Sequence, residues 1–216
     1  MKAKAILFDL DGTLVNSLPA VERCWLKFSQ RHKLNHSYVL DTIHGRKAID
    51  NIRYFFPNKS EEFIKKEFLW LERLESDDLM GINEISGASD FLRQLSLLNI
   101  PWGIVTSGTR PVAMSRFNLL KVPIPQVFIT GEMVMNTKPA PDGYLQGVKS
   151  FGLQTEQCIV FEDSVAGIES AFNANCQVIG VNIPNLINHE VELYIRTFNE
   201  LCLVKNSDNE LVVLKK

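Results

Sequence analysis

The sequence predicts an α/β protein, a parallel sheet flanked by helices, with a small all-helical segment inserted after the first strand. Three observations carry that prediction. Short apolar runs alternate with helical periodicities between Ile85 and Val181, the pattern of βα units joined by right-handed crossovers. The first run, Ala5-Ile6-Leu7-Phe8, is apolar at every position, so both faces of its strand are expected to be covered. Between Val15 and about Gly81 no alternating strand pattern is found, and apolar residues recur there at helical spacing.

The first strand ends at Asp9-Leu10-Asp11-Gly12. Val21, Cys24, Trp25, Phe28 and Leu34 then mark a helix opened near Pro19. His44-Gly45-Arg46-Lys47 interrupts two helical stretches; the second carries Ala48, Ile49, Ile52, Phe55 and Phe56 and stops at Pro57. Ser60-Glu61-Glu62 opens another helix through Phe63, Ile64, Glu67, Phe68 and Leu71. Further helices are expected over Asp90–Leu98, Val112–Leu120, Tyr144–Phe151 and Ser164–Ala174. Strands are expected at Pro101–Val105, Gln126–Thr130, Cys158–Phe161 and Val178–Val181. Leu201–Val204 and Leu211–Leu214, joined through Asn206–Asn209, read as a hairpin. The domain division is therefore residues 1–14 with 84–216 as the α/β core, and 15–83 as a helical cap.

Composition narrows the function classes. With 45% apolar and 22% charged residues the chain is an ordinary globular protein. A formal charge of −2 gives no basic footprint for nucleic acid. No apolar run approaches the ~20 residues of a spanning helix, so no membrane partner is expected. Cys24, Cys158, Cys176 and Cys202 are scattered without a C-x-x-C pair, which reads as free thiols in a reducing cytoplasm. A monomer is the default.

Polar residues fall repeatedly where strands end. Asp9 and Asp11 follow the first strand, Thr106-Ser107-Gly108 the second, and Glu162-Asp163 a later one. Open parallel sheets bind ligands at the carboxyl ends of their strands, so these positions can converge. Two carboxylates ~4 Å apart at an effective dielectric of ~20 repel by about 4 kcal/mol, which asks for a cation. On local spacing alone, turn chemistry accounts for Asp9 and Asp11-Gly12 equally well. Helix capping likewise accounts for Thr106 and for Asp163.

Four segments together resemble the haloacid dehalogenase (HAD) superfamily of phosphotransferases: Phe8-Asp9-Leu10-Asp11-Gly12-Thr13-Leu14, Ile104-Val105-Thr106-Ser107-Gly108, Lys138-Pro139-Ala140-Pro141-Asp142 and Val160-Phe161-Glu162-Asp163-Ser164 continuing to Ile168. They stand in the family's order, and the helical insertion resembles its small cap. The resemblance implies a HAD-like Rossmann-type core. Thr106–Arg110, Phe128–Glu132 and Ile43-His44-Gly45 are similar to the sugar-phosphatase branch, which holds hexitol, 2-deoxyglucose-6-phosphate and glycerol phosphatases.

The implied activity is magnesium-dependent hydrolysis of small sugar or polyol phosphates through an aspartyl-phosphate. Phosphoryl transfer gives the protein little covalent chemistry to assist, so positioning and charge cancellation must do most of it. Asp9 is then the nucleophile, and Asp11 the acid that protonates the leaving oxygen and the base that activates water. Asp9 and Asp163 are the expected magnesium carboxylates, with Glu162 a variable or outer ligand. By resemblance Asp11 adds its backbone carbonyl, and Lys138 bridges Asp9 and the phosphoryl group. Thr106, Ser107 and Gly108 suit phosphate oxygens at a helix N-terminus, and Thr13 supports the Asp loop. In the cap, His44, Gly45, Arg46 and Lys47 are the candidate substrate contacts, although solvated surface accounts equally for Arg46 and Lys47. Related phosphatases often carry Asp where this chain has Asn16. Arg110 reaches either the leaving group or only a helix terminus. The alternative reading is a β-phosphoglucomutase-like phosphomutase with the same Asp9, Asp11 and magnesium.

Overall fold

The computed structural model describes residues 1–43, 47–183, 191–206 and 211–216. The chain opens with β1 (Lys2–Ala3), β2 (Ala5–Phe8) and β3 (Val15–Asn16). The helices α1 (Leu18–His32), α2 (His36–Ile43), α3 (Ala48–Phe55) and α4 (Glu61–Asp77) follow, closed by β4 (Asn83–Glu84). The α/β part then runs α5 (Ala88–Leu97), β5 (Trp102–Val105), α6 (Arg110–Phe117), β6 (Val127–Ile129) and α7 (Asp142–Phe151). It continues through β7 (Cys158–Glu162), α8 (Val165–Asn173), β8 (Gln177–Val181) and β9 (Leu193–Ile195) to the hairpin β10 (Leu201–Lys205) and β11 (Leu211–Lys215).

The main sheet has the order β6-β5-β2-β7-β8-β9, and every neighbouring pair is parallel. In chain order the sheet grows outward from β2 in one direction and then, from β7, in the other. This is the Rossmann-type arrangement, and β2 lies at its switch point. The strand is apolar throughout because it is covered on both faces. Ile6 and Phe8 belong to a cluster with Phe91, Ile104, Phe161 and Phe198. Ala5 and Leu7 belong to a second cluster, on the side of α7 and α8, with Val105, Tyr144, Val160 and Ile168. All four β2 residues are fully buried, each larger side chain contributing about 1.5–3 kcal/mol of burial.

The helices α1 to α4 build their own core from Trp25, Phe28, Val39, Ile52, Ile64 and Leu71. Their ends follow the sequence signals. Pro19 sits in the first turn of α1, and the Ser60 hydroxyl accepts a hydrogen bond from the Phe63 amide at 3.3 Å to cap α4. Glu67 is buried on α4, held by Arg31 Nε at 2.8 Å and His32 Nε2 at 3.0 Å.

Three local features differ from the sequence reading. Val15–Asn16 is a strand, pairing antiparallel with Asn83–Glu84 at the two ends of the helical segment. The sixth strand of the main sheet, β9, was not anticipated, and β1 adds to the terminal hairpin beside β11. Two- and three-residue strands are too short to show an alternation. The expected hairpin is present with Leu203 opposite Val213; residues 207–210 of its turn lie outside the described residues.

Candidate active site

β2 delivers Asp9 directly to the carboxyl edge of the sheet. The Asp9 amide still donates to Phe161 O at 3.0 Å, and the chain then leaves the sheet through a turn closed by the Gly12 amide on Val15 O at 2.7 Å. Gly12 has φ +90°, and a Cβ there would overlap the Asp163 carboxylate. Glycine is therefore required both by the backbone and by the approach of that acid. Thr13 Oγ1 donates to Asp163 Oδ1 at 3.1 Å, tying the two strand ends together as expected for Thr13.

Lys138 lies at the centre of the charged groups. Its ammonium donates to Asp9 Oδ1 and Glu162 Oε1, each at 2.5 Å, and to Val105 O at 3.2 Å. It also lies 5.2 Å from the centre of the Tyr144 ring. Burial works against its charge, but Asp9 and Glu162 outweigh burial and hold it above the ordinary lysine value. Glu162 is fully buried and fully engaged. Tyr144 donates to its Oε1 at 2.9 Å. Oε2 accepts from the Asp163 and Ser164 amides at 3.0 and 3.1 Å and from the Ser164 hydroxyl at 3.1 Å.

The carboxyl groups crowd one another. Asp9, Glu162 and Asp163 each present an oxygen within 4.8 Å of the others. Burial pushes Asp9 well above the ordinary aspartate value; Lys138 opposes that shift, and Glu162 and Asp163 add to it. Burial and the Glu162 charge push Asp163 up to about 7. One ammonium for three carboxyls leaves the cluster electron-rich, the environment a hard divalent cation stabilises.

Thr106 follows β5, with its amide on Ile129 O at 3.0 Å. Its Oγ1 accepts from the Gly108 amide at 3.1 Å, which folds Ser107 and Gly108 into a tight turn. Thr106, Ser107 and Gly108 line one cavity with Asp9, Asp11 and Lys138; its volume is about 1090 Å³. The Asp11 side chain stands apart from the acid cluster. Its Oδ1 accepts from Arg116 Nη1 at 2.7 Å, and its Oδ2 lies 3.9 Å from where a Cβ on Gly108 would stand.

The family model of haloacid dehalogenase-like hydrolases matches residues 6–181. The chain belongs to that family. Hexitol phosphatase A of Escherichia coli (strain K12) is 43% identical, over 99% of this chain and all of that one. Glycerol-1-phosphate phosphohydrolase 1 of Saccharomyces cerevisiae is 33% identical over 84% of this chain and 75% of its own length. A crystal structure of a HAD hydrolase, family IA, variant 3, from Entamoeba histolytica superposes with a TM-score of 0.79 at 30% identity, covering 94% of this chain and 96% of that one. This HAD hydrolase is accordingly a phosphoric monoester hydrolase on the branch of the sugar phosphatases.

Of the substrate contacts expected from the sequence, His44, Gly45 and Arg46 lie outside the described residues. Lys47 lines the cavity, and its ammonium donates to Val134 O at 3.2 Å. Arg110 leans over the Phe128 ring at 5.6 Å, while its amide donates to Glu132 Oε1 at 2.9 Å. Sequence reasoning missed three polar residues: Tyr144, Arg116 and Glu75. Each left a signal. Arg116 falls four residues after Val112 on the buried stripe of α6, and Glu75 four after Leu71 on α4. Tyr144 begins the apolar face of α7 with Val148. A polar group on an apolar stripe needs a partner, and these find theirs around Asp11 and Lys138.

Proposed function

We propose that this HAD hydrolase is a magnesium-dependent phosphatase for small sugar and polyol monophosphates, working through an aspartyl-phosphate on Asp9. The observation that carries the reading is the convergence of Asp9, Asp11, Thr106 and Lys138 on one cavity. The likeness to a hexitol phosphatase over the whole chain supports the substrate class. A divalent cation fits the donor set, because three carboxyls crowd together and Asp163 is pushed up to about 7 by burial and the Glu162 charge. Asp9, Asp163 and the backbone carbonyl of Asp11 would hold magnesium. Glu162, filled by Lys138, Tyr144 and three donors of the 163–164 turn, acts as the outer support. Magnesium bound there supplies positive charge to the phosphoryl oxygens.

The residues divide the reaction as follows. The amides of Ser107 and Gly108 and the Thr106 hydroxyl cradle phosphoryl oxygens. Lys138 offsets negative charge between Asp9 and the phosphate. An Asp9 carboxylate oxygen attacks phosphorus as the bond to the sugar oxygen breaks, and Asp11 gives that oxygen its proton. Asp11 then takes a proton from water, the resulting hydroxide attacks the same phosphorus, and phosphate leaves with the Asp9 carboxylate restored. Residues 15–83 form the lid that shields the intermediate. His44, Gly45, Arg46 and Lys47 remain the proposed residues for recognition of the sugar. Four unpaired thiols, Cys24, Cys158 and Cys176 buried and Cys202 exposed, suit a reducing cytoplasm.

The test is a phosphate-release screen over hexose, hexitol and glycerol phosphates, with magnesium and with EDTA. Magnesium-dependent release, abolished in a folded Asp9→Asn variant, is the expected result. Absence of release from every substrate refutes the reading. Bisphosphate-dependent isomerisation without release would move the enzyme to the phosphomutases.

A further inference from the structure

Arg116 is a cation inside the protein with incomplete partners. Its side chain is 4% exposed, placed on the apolar stripe of α6 between Val112 and Phe117. It makes one hydrogen bond, from Nη1 to Asp11 Oδ1 at 2.7 Å. Among the described residues, Nε and Nη2 have no hydrogen-bond acceptor. Burying a guanidinium with two nitrogens that find no hydrogen-bond acceptor is costly, so this arrangement asks for a reason beyond packing. The same side chain lines the cavity beside Asp11 and Thr109.

Two geometrical facts supply the reason. First, Arg116 holds only Oδ1 of Asp11, leaving Oδ2 on the side of Gly108, the turn assigned to the phosphoryl oxygens. That bond holds Oδ1 in place and leaves Oδ2 on the cavity side of the carboxyl. Second, Arg116 Nη2 lies 3.8 Å from Glu75 Oε2. Glu75 belongs to α4, the helix that ends the cap segment, and α4 packs on α6. A charge-assisted hydrogen bond is ~2.8 Å long. A shift of the cap by about 1 Å would therefore close the Glu75–Arg116 contact.

We propose that Arg116 is the positioning residue for the general acid Asp11, and that Glu75 ties that positioning to the seating of the cap. The three form a relay from cap helix to core helix to acid. The inference rests on the assignment of Asp11 as general acid made above.

The test compares two leaving groups. A hexitol 6-phosphate departs as an alkoxide and needs a proton, whereas p-nitrophenyl phosphate departs as a stable phenolate and does not. Because the later attack of water needs Asp11 whichever ester is used, the contrast is read in single-turnover release of the leaving group. Asp11→Ala is the reference, expected to lose on the order of 100-fold or more in that rate on the alkyl ester and less than tenfold on the aryl ester. Arg116→Gln is expected to reproduce that pattern, losing about 10- to 100-fold in the single-turnover rate on the alkyl ester and within about threefold on the aryl ester, with KM nearly unchanged. Asp11→Ala/Arg116→Gln is expected to be no worse than Asp11→Ala, since the two act as a unit. Arg116→Lys is expected to recover part of the loss, and Glu75→Gln to lose about three- to tenfold on the alkyl ester alone.

Equal losses on both esters, or losses that multiply in the double variant, overturn the proposal and leave Arg116 a structural residue. If Arg116→Gln does not fold, the alkyl-to-aryl ratio of Arg116→Lys decides, and an unchanged ratio overturns it. A flat Asp11→Ala profile would instead sink the assignment of the acid, which separates failure of that reading from failure of this one.

Discussion

Replacing Lys138 with methionine removes one charge and little volume. In the folded protein the ammonium lies 2.5 Å from both Asp9 and Glu162. At an effective dielectric of ~20 each contact is worth about 7 kcal/mol of gross attraction, most of which offsets desolvation of the three groups. The relevant quantity is the cost of leaving two buried carboxylates without their cation, about 3–5 kcal/mol. For a chain of this size that lowers Tm by about 10 °C. The sign of the pH dependence follows from the acids. Burial holds Asp9 above its ordinary value and takes Asp163 to about 7 from 3.8. Between these values the folded state binds more protons than the unfolded state, so stability falls as pH rises through that window. Lys138 offsets this at every pH below the ordinary lysine value. Lys138→Met should therefore cost most above pH ~7 and less near pH ~5, where the carboxyls take up protons instead. Urea unfolding of parent and variant in EDTA at the two pH values reads the difference. A variant within about 1 kcal/mol of the parent at pH ~8, or one hurt more at the lower pH, refutes the assignment of Lys138 as the buried counter-charge.

Magnesium affinity of the parent should weaken by up to about tenfold per pH unit below ~7, because Asp163 must shed the proton that burial and Glu162 favour. Titration calorimetry at three pH values checks this, and a pH-independent affinity contradicts it. Phe8→Ala should cost about 3–5 kcal/mol, because its ring stacks on Phe161 at 4.9 Å and meets Phe91 edge-on at 6.1 Å. Urea unfolding measures the loss, and a smaller effect than that of a surface alanine would mean the strand is not packed as described. Ser60→Ala should lower stability by about 1 kcal/mol through loss of the α4 cap; no change in the unfolding midpoint would show that the hydroxyl contributes nothing there.

How much could be read in the sequence depended on what each signal averages over. Runs such as Ala5–Phe8 and Cys158–Phe161 announce buried parallel strands because each residue repeats the message. The same logic failed for Val15–Asn16 and Leu193–Ile195, which are too short to repeat anything and are set by long-range pairing. Asp9, Thr106, Lys138 and Asp163 were legible because they stand at strand ends or in motifs. Helical periodicity hides the others, because it assigns a face without asking what stands on it. Glu67, Glu75 and Arg116 all sit on stripes otherwise made of apolar residues. What separates them is the completeness of their partners. Glu67 accepts from Arg31 and His32, and its value is pulled down because those two hydrogen bonds overcome burial. That charge is fully compensated in place and locks α4 to α1. Burial instead raises Glu75 to about 7 despite Arg116 nearby, and Arg116 keeps two nitrogens without acceptors among the described residues. A buried charge that is fully bonded stabilises one arrangement of the chain. One that is incompletely bonded beside Asp11 is what the proposed relay requires, since there the cap and the substrate would complete the set.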